Sequence, residues 1–234
     1  MDDVRAALER SALFVGAPES AIKMALEAVT TRTFSPGAEI FREDDPGEAV
    51  YLIVEGRVKV SRANLEGRER IFTILASPEI LGEMALVSSG ARSATARCLD
   101  RVVALVIYRE DLKGILDRNP AVLWNLTKIL AKRLGDMNRE VEVLSSASTT
   151  ACVAYALQAL YLRGGFKSDK DGLPTLEFTH QDLANRSGNS RETITRALKD
   201  FEKEGIIKTR PGMITLLKPE ALEAIIFGLR DDEE

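Results

Sequence analysis

The sequence predicts an α+β chain of two domains: a β-rich front half, a long amphipathic helix and a small, mainly helical back half. Three observations carry this. The chain has 234 residues, too long for one ordinary core and too short for three. Through the front half, apolar residues alternate in short runs broken by turns; beyond Asn119 they recur at three- and four-residue steps. The divisions expected are a front domain over 1–118, a helix with a hinge over 119–147, and a back domain over 148–234.

The opening, Val4 to Thr31, reads as helical, with Ala, Leu, Met and Ile at helical steps. FSPGAEIFREDDPGEA then sets two turn clusters around the apolar pair Ile40-Phe41. In AVYLIVEGRVKVSRA, Tyr51, Ile53, Val58 and Val60 alternate about a break at Glu55-Gly56. RERIFTILA and RSATARCLDRVVALVIY add further short apolar and β-branched runs. Short strands with turns about every ten residues mark a small sandwich or barrel.

Asn119-Pro120 is a helix start, with proline in the first turn. From there Leu123, Thr127, Leu130, Leu134, Met137, Val141 and Leu144 advance by alternating steps of four and three, a heptad seam with Lys128, Lys132, Arg133, Asp136, Arg139 and Glu140 on the other faces. A core helix also carries apolar residues at such steps, but an almost wholly apolar seam over three heptads favours a helix–helix homodimer. SSASTT (145–150) is polar and helix-poor, a candidate hinge. ACVAYALQALYLR resumes the helical pattern and closes at Gly164-Gly165, before the charged loop KSDKDGLP.

Composition narrows the function classes. With 45% hydrophobic and 29% charged residues the chain is globular. No apolar run approaches the roughly 18 residues of a membrane helix. The acidic start MDDVRAALER is unlike a secretory signal, so the expected location is the cytoplasm and no membrane partner is expected. Cys98 and Cys152 are isolated, which excludes a disulfide scaffold and CxxC pairs, and His180 is the single histidine. A metal site of nitrogen and sulfur ligands has almost nothing to be built from. No paired carboxylates or nucleophile with a base emerges, so no catalytic residues are expected and the chain reads as a non-enzyme.

The net charge of −4 does not announce nucleic acid, yet charge is patterned: 186–210 holds seven Lys or Arg against four acids, while the chain ends in DDEE. Thr179 can cap the helix HQDLANRSG, which stops at Gly188; Ser190 can cap a second, RETITRALKDFEKEG, which stops at Gly205. Two helices joined by a glycine turn are the helix-turn-helix plan. Leu183, Ala184, Ile194, Leu198 and Phe201 then face a core, leaving Arg191, Glu192, Thr195, Arg196 and Lys199 outward. IIKTRPGMITLL alternates around Pro211-Gly212 as a two-stranded wing. Charges on a helix face are commonly just solvated. Here caps, turn, apolar complement and wing agree on double-stranded DNA: arginine's planar fork matches guanine O6 and N7, glutamate accepts from the cytosine amino group, and the helix's amino end is what enters the major groove.

SRETITRALKDFEKEGII resembles the recognition helix of the catabolite-activator/FNR family of bacterial transcription regulators, and PGAEIF, YLIVEGRVKV and LGEMALVSSGARSATA resemble that family's cyclic-nucleotide-binding β-roll. The resemblance implies a jelly-roll-like β-roll sensor, a long dimerisation helix and a C-terminal winged helix-turn-helix. It also implies a homodimer that works with RNA polymerase on a TGTGA-type pseudo-palindrome. By position, Arg191 and Arg196 read guanines and Glu192 a cytosine; Ser190, Thr193, Thr179, Gln181 and Lys199 hold phosphates. His180 falls where the family often has a basic phosphate-binding residue, and as a lone histidine it is equally a surface residue.

The segment Gly82-Glu83-Met84-Ala85, with Arg92 and Ser93, has the chemistry a cyclic phosphodiester needs; taken alone it is more commonly a turn with a surface salt bridge, and its place between β-roll strands, resembling the family's phosphate cassette, favours the ligand. Backbone N–H groups of a helical turn, the Arg92 fork and the Ser93 hydroxyl suit phosphate; the Glu83 carboxylate suits a ribose hydroxyl. The resemblance makes the effector cyclic AMP. It also aligns Met137 and Asn138 with the pair that contacts the adenine amino group, a Thr-Ser pair in the cyclic-AMP-responsive member; Asn138 can accept from that group while Met137 can only pack on the ring. The front half has neither the cysteine cluster of the family's iron–sulfur sensors nor the histidine of its haem sensors. Two rival readings stay open: an effector-independent regulator with a vestigial pocket, and a nucleotide receptor acting on a protein partner.

Overall fold

The computed structural model describes residues 2–64, 67–87 and 90–228, with the Ser146 side chain set aside; the acidic tail DDEE and Ser88-Ser89 lie outside the described residues. The chain divides into two compact units, Met1–Arg62 with Leu75–Asp136, and Ala63–Ile74 with Met137–Glu234.

The first unit opens with α1 (Asp2–Arg10) and α2 (Glu19–Ala28), two helices where the apolar steps predict one. The interruption is local. The Ser11 hydroxyl donates to the Leu8 carbonyl and accepts from the Phe14 N–H, turning the chain out of helical register. Gly16 then takes a left-handed conformation (φ 67°) and Pro18 precedes the second start. Thr30 and Thr31, expected at the helix end, begin strand β1 (Thr30–Phe34).

The strands follow as β2 (Glu39–Phe41), β3 (Ala49–Glu55), β4 (Arg57–Ala63), β5 (Glu69–Ala76) and β6 (Ile80–Leu81). After the short helix α3 (Glu83–Val87) come β7 (Thr95–Cys98) and β8 (Val102–Tyr108), then α4 (Arg109–Arg118) and α5 (Pro120–Ser146). They make two four-stranded sheets, β1-β8-β3-β6 and β2-β7-β4-β5, the jelly-roll-like β-roll. Strand β3 shows why the sandwich forms. Ala49, Tyr51 and Ile53 join Val58, Ala96, Cys98, Ala104 and Val106 in the core between sheets, whereas Val50 and Leu52 join Leu8, Ile22, Leu112, Ile115 and Leu126 beneath the helices. Successive side chains take opposite faces and both faces are covered, so β3 is buried almost throughout. The Glu55-Gly56 break is a tight turn: Gly56 sits at φ 86°, and a Cβ there would stand 2.3 Å from the Arg101 carbonyl oxygen.

The second unit contains most of β5, the end of α5, α6 (Thr149–Leu162), β9 (Lys167–Ser168), β10 (Pro174–Glu177), α7 (His180–Ser187), α8 (Arg191–Lys203), β11 (Ile207–Arg210), β12 (Met213–Leu216) and α9 (Ala221–Ile226). The SSASTT stretch is mostly helical: α5 runs to Ser146, and Ser148 caps α6 by accepting from the Ala151 N–H at 3.2 Å. The break is two residues. The wing is also larger than a hairpin. β11 and β12 are continued by β10 and β9 into one antiparallel sheet, tied across β10 and β12 by a buried Thr175–Thr215 hydroxyl pair at 2.9 Å.

Candidate functional site

In the first unit, a cassette of buried charge collects behind α3. Gly82 enters it at φ 88°; a Cβ there would stand 2.5 Å from Arg92 Nη1 and 3.2 Å from the Ala49 carbonyl oxygen, so only glycine lets the arginine lie this close. Glu83 is wholly enclosed, Ala85 is buried, and Met84 and Ser93 are exposed. Arg92 is 3% exposed and lies over the Phe41 ring, 4.2 Å from its centroid. Its Nη1 donates to the Gly82 carbonyl at 2.9 Å and its Nη2 to the Ala49 carbonyl at 2.8 Å, so the fork expected to meet phosphate here holds backbone. Its Nε is buried without a partner among the described residues. Burial holds the Arg92 guanidinium below its ordinary value.

Two residues outside the sequence-predicted set, Arg133 and Arg109, complete the cassette. Arg133, on α5, pairs through Nη1 with Glu83 Oε1 and through Nη2 with the Ile80 carbonyl. Burial nevertheless pushes the Glu83 carboxyl above its ordinary value, with Arg133 opposing. Glu83 Oε2 is the other buried atom here without a partner among the described residues. Arg109 spends its guanidinium on three carbonyls, donating to Gly47 (2.6 and 3.1 Å), Ala85 (2.9 Å) and Leu86 (3.2 Å). It fastens the end of α3 to the β2–β3 connection. The signal for Arg133 was its place on the polar side of the heptad helix; Arg109, directly after β8, gave none.

The structure therefore brings together Gly82, Glu83, Ala85 and Arg92. Met137 and Asn138 belong to the other unit and are exposed on α5.

In the second unit, α7 and α8 are built by their caps. The Thr179 hydroxyl accepts from the Asp182 N–H at 3.1 Å and donates to the Asp182 carboxylate at 2.6 Å, which in turn accepts from the Thr179 N–H at 2.9 Å, closing a reciprocal box. Gly188 ends α7 in the left-handed conformation, φ 74°. Ser190 caps α8 by accepting from the Thr193 N–H at 3.2 Å and donates to the Thr193 hydroxyl at 3.0 Å. The helix closes with Ile206 N–H on the Phe201 carbonyl, 2.9 Å, beyond which Gly205 has already reversed the chain. Leu183, Ala184, Ile194, Leu198 and Phe201 are buried as expected from their steps.

The outward face is then open. Arg191, Glu192, Arg196 and Lys199 are exposed, and the three cations have no hydrogen-bond or ion-pair partner among the described residues. Glu192 is held below the ordinary carboxylate value, first by its own backbone N–H and then by the Ser190 hydroxyl, so it stands as an acceptor. Gln181, exposed, donates to Asn185 at 3.0 Å. His180 Nδ1 lies 2.9 Å from the Thr195 hydroxyl, whose proton goes to the Arg191 carbonyl at 2.9 Å; Nδ1 is therefore the donor and Nε2 the nitrogen left free. His180 braces α7 against the recognition face.

Among the described residues no helix is long and apolar enough to cross a membrane, and no group of three His, Cys, Asp or Glu is placed to hold a metal.

Comparison with known proteins gives two family matches, a cyclic nucleotide-binding domain over residues 31–119 and a Crp-like helix-turn-helix domain over residues 153–225. The "Cyclic AMP receptor protein" of Thermus thermophilus is 36% identical over 95% of this chain and 100% of its own. The "CRP-like cAMP-activated global transcriptional regulator" of Mycobacterium tuberculosis is 29% identical over 95% of this chain and 98% of its own. Among solved structures, the catabolite activator protein of Thermus thermophilus matches 94% of this chain and 100% of its own at 35% identity, with a TM-score of 0.54.

Proposed function

The chain belongs to the catabolite-activator/FNR family of transcription regulators, pairing a cyclic nucleotide-binding domain with a Crp-like helix-turn-helix, and on that premise we propose that it acts as a cytoplasmic homodimer, switched by cyclic AMP, on a TGTGA-type pseudo-palindrome. One observation carries the effector: the cassette buries two charged groups, each with an atom unspent. Glu83 Oε2 suits a ribose hydroxyl and Arg92 Nε a phosphate oxygen. The nucleotide supplies the anion that a buried guanidinium otherwise lacks, and Arg92 can exchange its two carbonyl partners for phosphate oxygens in the same planar geometry. The naming of the Thermus thermophilus relative as a cyclic AMP receptor protein supports the same choice. Asn138 accepts from the adenine amino group and Met137 packs on the ring.

On the DNA side, the free cations Arg191 and Arg196 stand at the amino end and one turn along α8, where base edges are met. Lys199, Ser190, Thr193, Thr179 and Gln181 hold phosphates around them, and His180 joins them when its ring carries a proton on both nitrogens, so that Nε2 can donate. Thr179 and Ser190 serve chiefly by fixing the helix starts, since their hydroxyl protons are already placed. Two copies join through the exposed seam of α5 and present their recognition helices roughly 34 Å apart. Cyclic AMP shifts the population toward that spacing by its differential affinity for it. Work at a promoter brings the dimer against RNA polymerase.

A second reading, an effector-independent regulator, is favoured by the internal partners of Arg92 and Glu83, which already satisfy most of the cassette. One experiment separates them. Duplexes are selected from a random pool with and without cyclic AMP, with calorimetry of the nucleotide on the same protein. Symmetric duplexes enriched only with cyclic AMP, and a saturating heat, are expected; the same enrichment without nucleotide and no heat would give the second reading the field.

A further inference from the structure

Nothing in the proposed function employs a charge cluster in the second unit, where three separate elements meet. Glu140 of α5 takes Arg186 of α7 in a two-pronged pair, Nη1 to Oε1 at 2.5 Å and Nη2 to Oε2 at 3.0 Å. Arg186 is 4% exposed, and its Nε has no partner among the described residues. Arg70 of β5 stands 3.8 Å from the same Oε1, too far to share the bond. Its Nη1 lies against the turn between α7 and α8, where a Cβ on Gly188 would be 2.6 Å away.

Two guanidiniums therefore face one carboxylate, Arg186 buried against it and Arg70 partly exposed beside it. Burial, and then the charge of Arg186, depress Arg70, while Glu140 pulls the other way. The arrangement has two natural states, because one carboxylate cannot give both arginines its in-plane fork. Arg186 is almost closed to water and keeps its partner unless α7 leaves α5. Arg70, about a third exposed, is the member that can move.

We propose that Glu140, Arg186 and Arg70 form an ionic latch that fixes the helix-turn-helix to α5 and β5, and that motion of α5 reaches the recognition helix through it. Glu140 stands seven residues beyond Arg133 on the same helix, so the two occupy one face. α7 leads through Gly188 directly into α8. A turn of α5 about its axis carries Glu140 with it, and Arg186 must follow or be left buried without a counter-charge, which is the costly outcome. That step rests on the nucleotide-controlled reading above; the latch itself stands on the geometry.

The test uses the full chain, a labelled symmetric duplex with two TGTGA half-sites, and amide hydrogen exchange. Glu140→Gln keeps the shape and removes the charge. Its expected effects are a DNA affinity without nucleotide changed about fivefold or more, a cyclic AMP response collapsing toward none, and faster exchange in both 180–187 and 69–74. Arg70→Gln, at a partly exposed position that tolerates the change, shows a smaller loss of the same kind. The exchange Glu140→Arg with Arg186→Glu restores the response. Wild-type affinity, response and exchange in Glu140→Gln overturn the latch. If the wild-type chain ignores cyclic AMP, the effector reading fails, and unchanged exchange in Glu140→Gln is then the result that overturns the latch.

Discussion

Glu83 and Arg133 are joined across the first unit by an ion pair whose carboxylate is wholly enclosed, so the floor of the cassette is also a fastening of α5. Such a pair is worth little when both partners are replaced but a great deal when one is left alone. Arg133→Leu is therefore expected to lose about 3–5 kcal/mol of folding stability, because Glu83 is left buried and unpaired. Glu83→Gln added to Arg133→Leu recovers most of the loss. Urea unfolding of the two variants checks this; equal losses would show that the arginine stem, not the charge, holds the helix.

The same carboxyl sets a pH dependence. Burial raises Glu83 above its ordinary value of 4.5, so the folded chain binds this proton more tightly than the unfolded chain does. Its contribution to stability is then fully present below the unfolded value and is lost as pH rises through the folded one. Glu83→Gln cannot ionise and lacks that loss. From the ordinary value of 4.5 upward, wild type is expected to fall in stability relative to Glu83→Gln as pH rises. Thermal unfolding of both chains across that range is the measurement, and parallel curves contradict it.

Arg191 and Lys199 are both exposed and free on α8, yet their positions assign different roles. Arg191→Ala is expected to weaken specific binding by about 1–3 kcal/mol and to relax preference at one base position. Lys199→Ala is expected to weaken all duplexes alike and to lower the salt slope by about two, one for each protomer of the dimer. Competition among base-substituted duplexes at several salt concentrations distinguishes them. A uniform loss for Arg191→Ala would remove its assignment as a base reader.

What was legible in the sequence is what is local. The helix-turn-helix came from Thr179, Gly188, Ser190 and Gly205, each acting within a few residues of itself, and the sandwich from alternation about Gly56. The opening was misread as one helix because its apolar steps continue through Ser11–Gly16, while the single hydroxyl of Ser11 and the left-handed glycine decide the backbone there. The wing reads in the sequence as two strands because β9 and β10 are short and precede α7, out of sequence order with their partners. Arg133 with Glu83, and Arg186 with Glu140, join residues some fifty positions apart. Glu83 stands out in the sequence only as a carboxylate suited to a ribose, and Arg133, Glu140 and Arg186 do not differ there from the solvated charges around them, so only the fold could pair them.

Val141 is 65% exposed, Leu134 60% and Met137 59%, all in the predicted seam of a 27-residue helix. A stripe of this size left in water is what a second α5 covers. Val141→Glu places a carboxylate in that seam while leaving the monomer's own core untouched. The expected result is a monomer in sedimentation, with affinity for symmetric duplex falling to that for half-site duplex. A variant that stays dimeric would place the joint elsewhere.

Gly188 carries two demands at once. Its φ of 74° suits glycine alone at low cost, and the space beside its Cα is filled by the Arg70 guanidinium. Gly188→Ala is expected to cost about 1–2 kcal/mol from the backbone alone, since a Cβ in the left-handed region meets the following carbonyl. The contact with Arg70 adds less, because the far end of a partly exposed arginine can swing away. The two components are separable. In a chain already carrying Arg70→Ala, Gly188→Ala is expected to lose nearly as much stability as in wild type, because the strain remains after the contact has gone. Denaturant unfolding of the four chains of this cycle measures the difference. If the loss vanished in the Arg70→Ala background, the contact rather than the turn would be what requires glycine at this position.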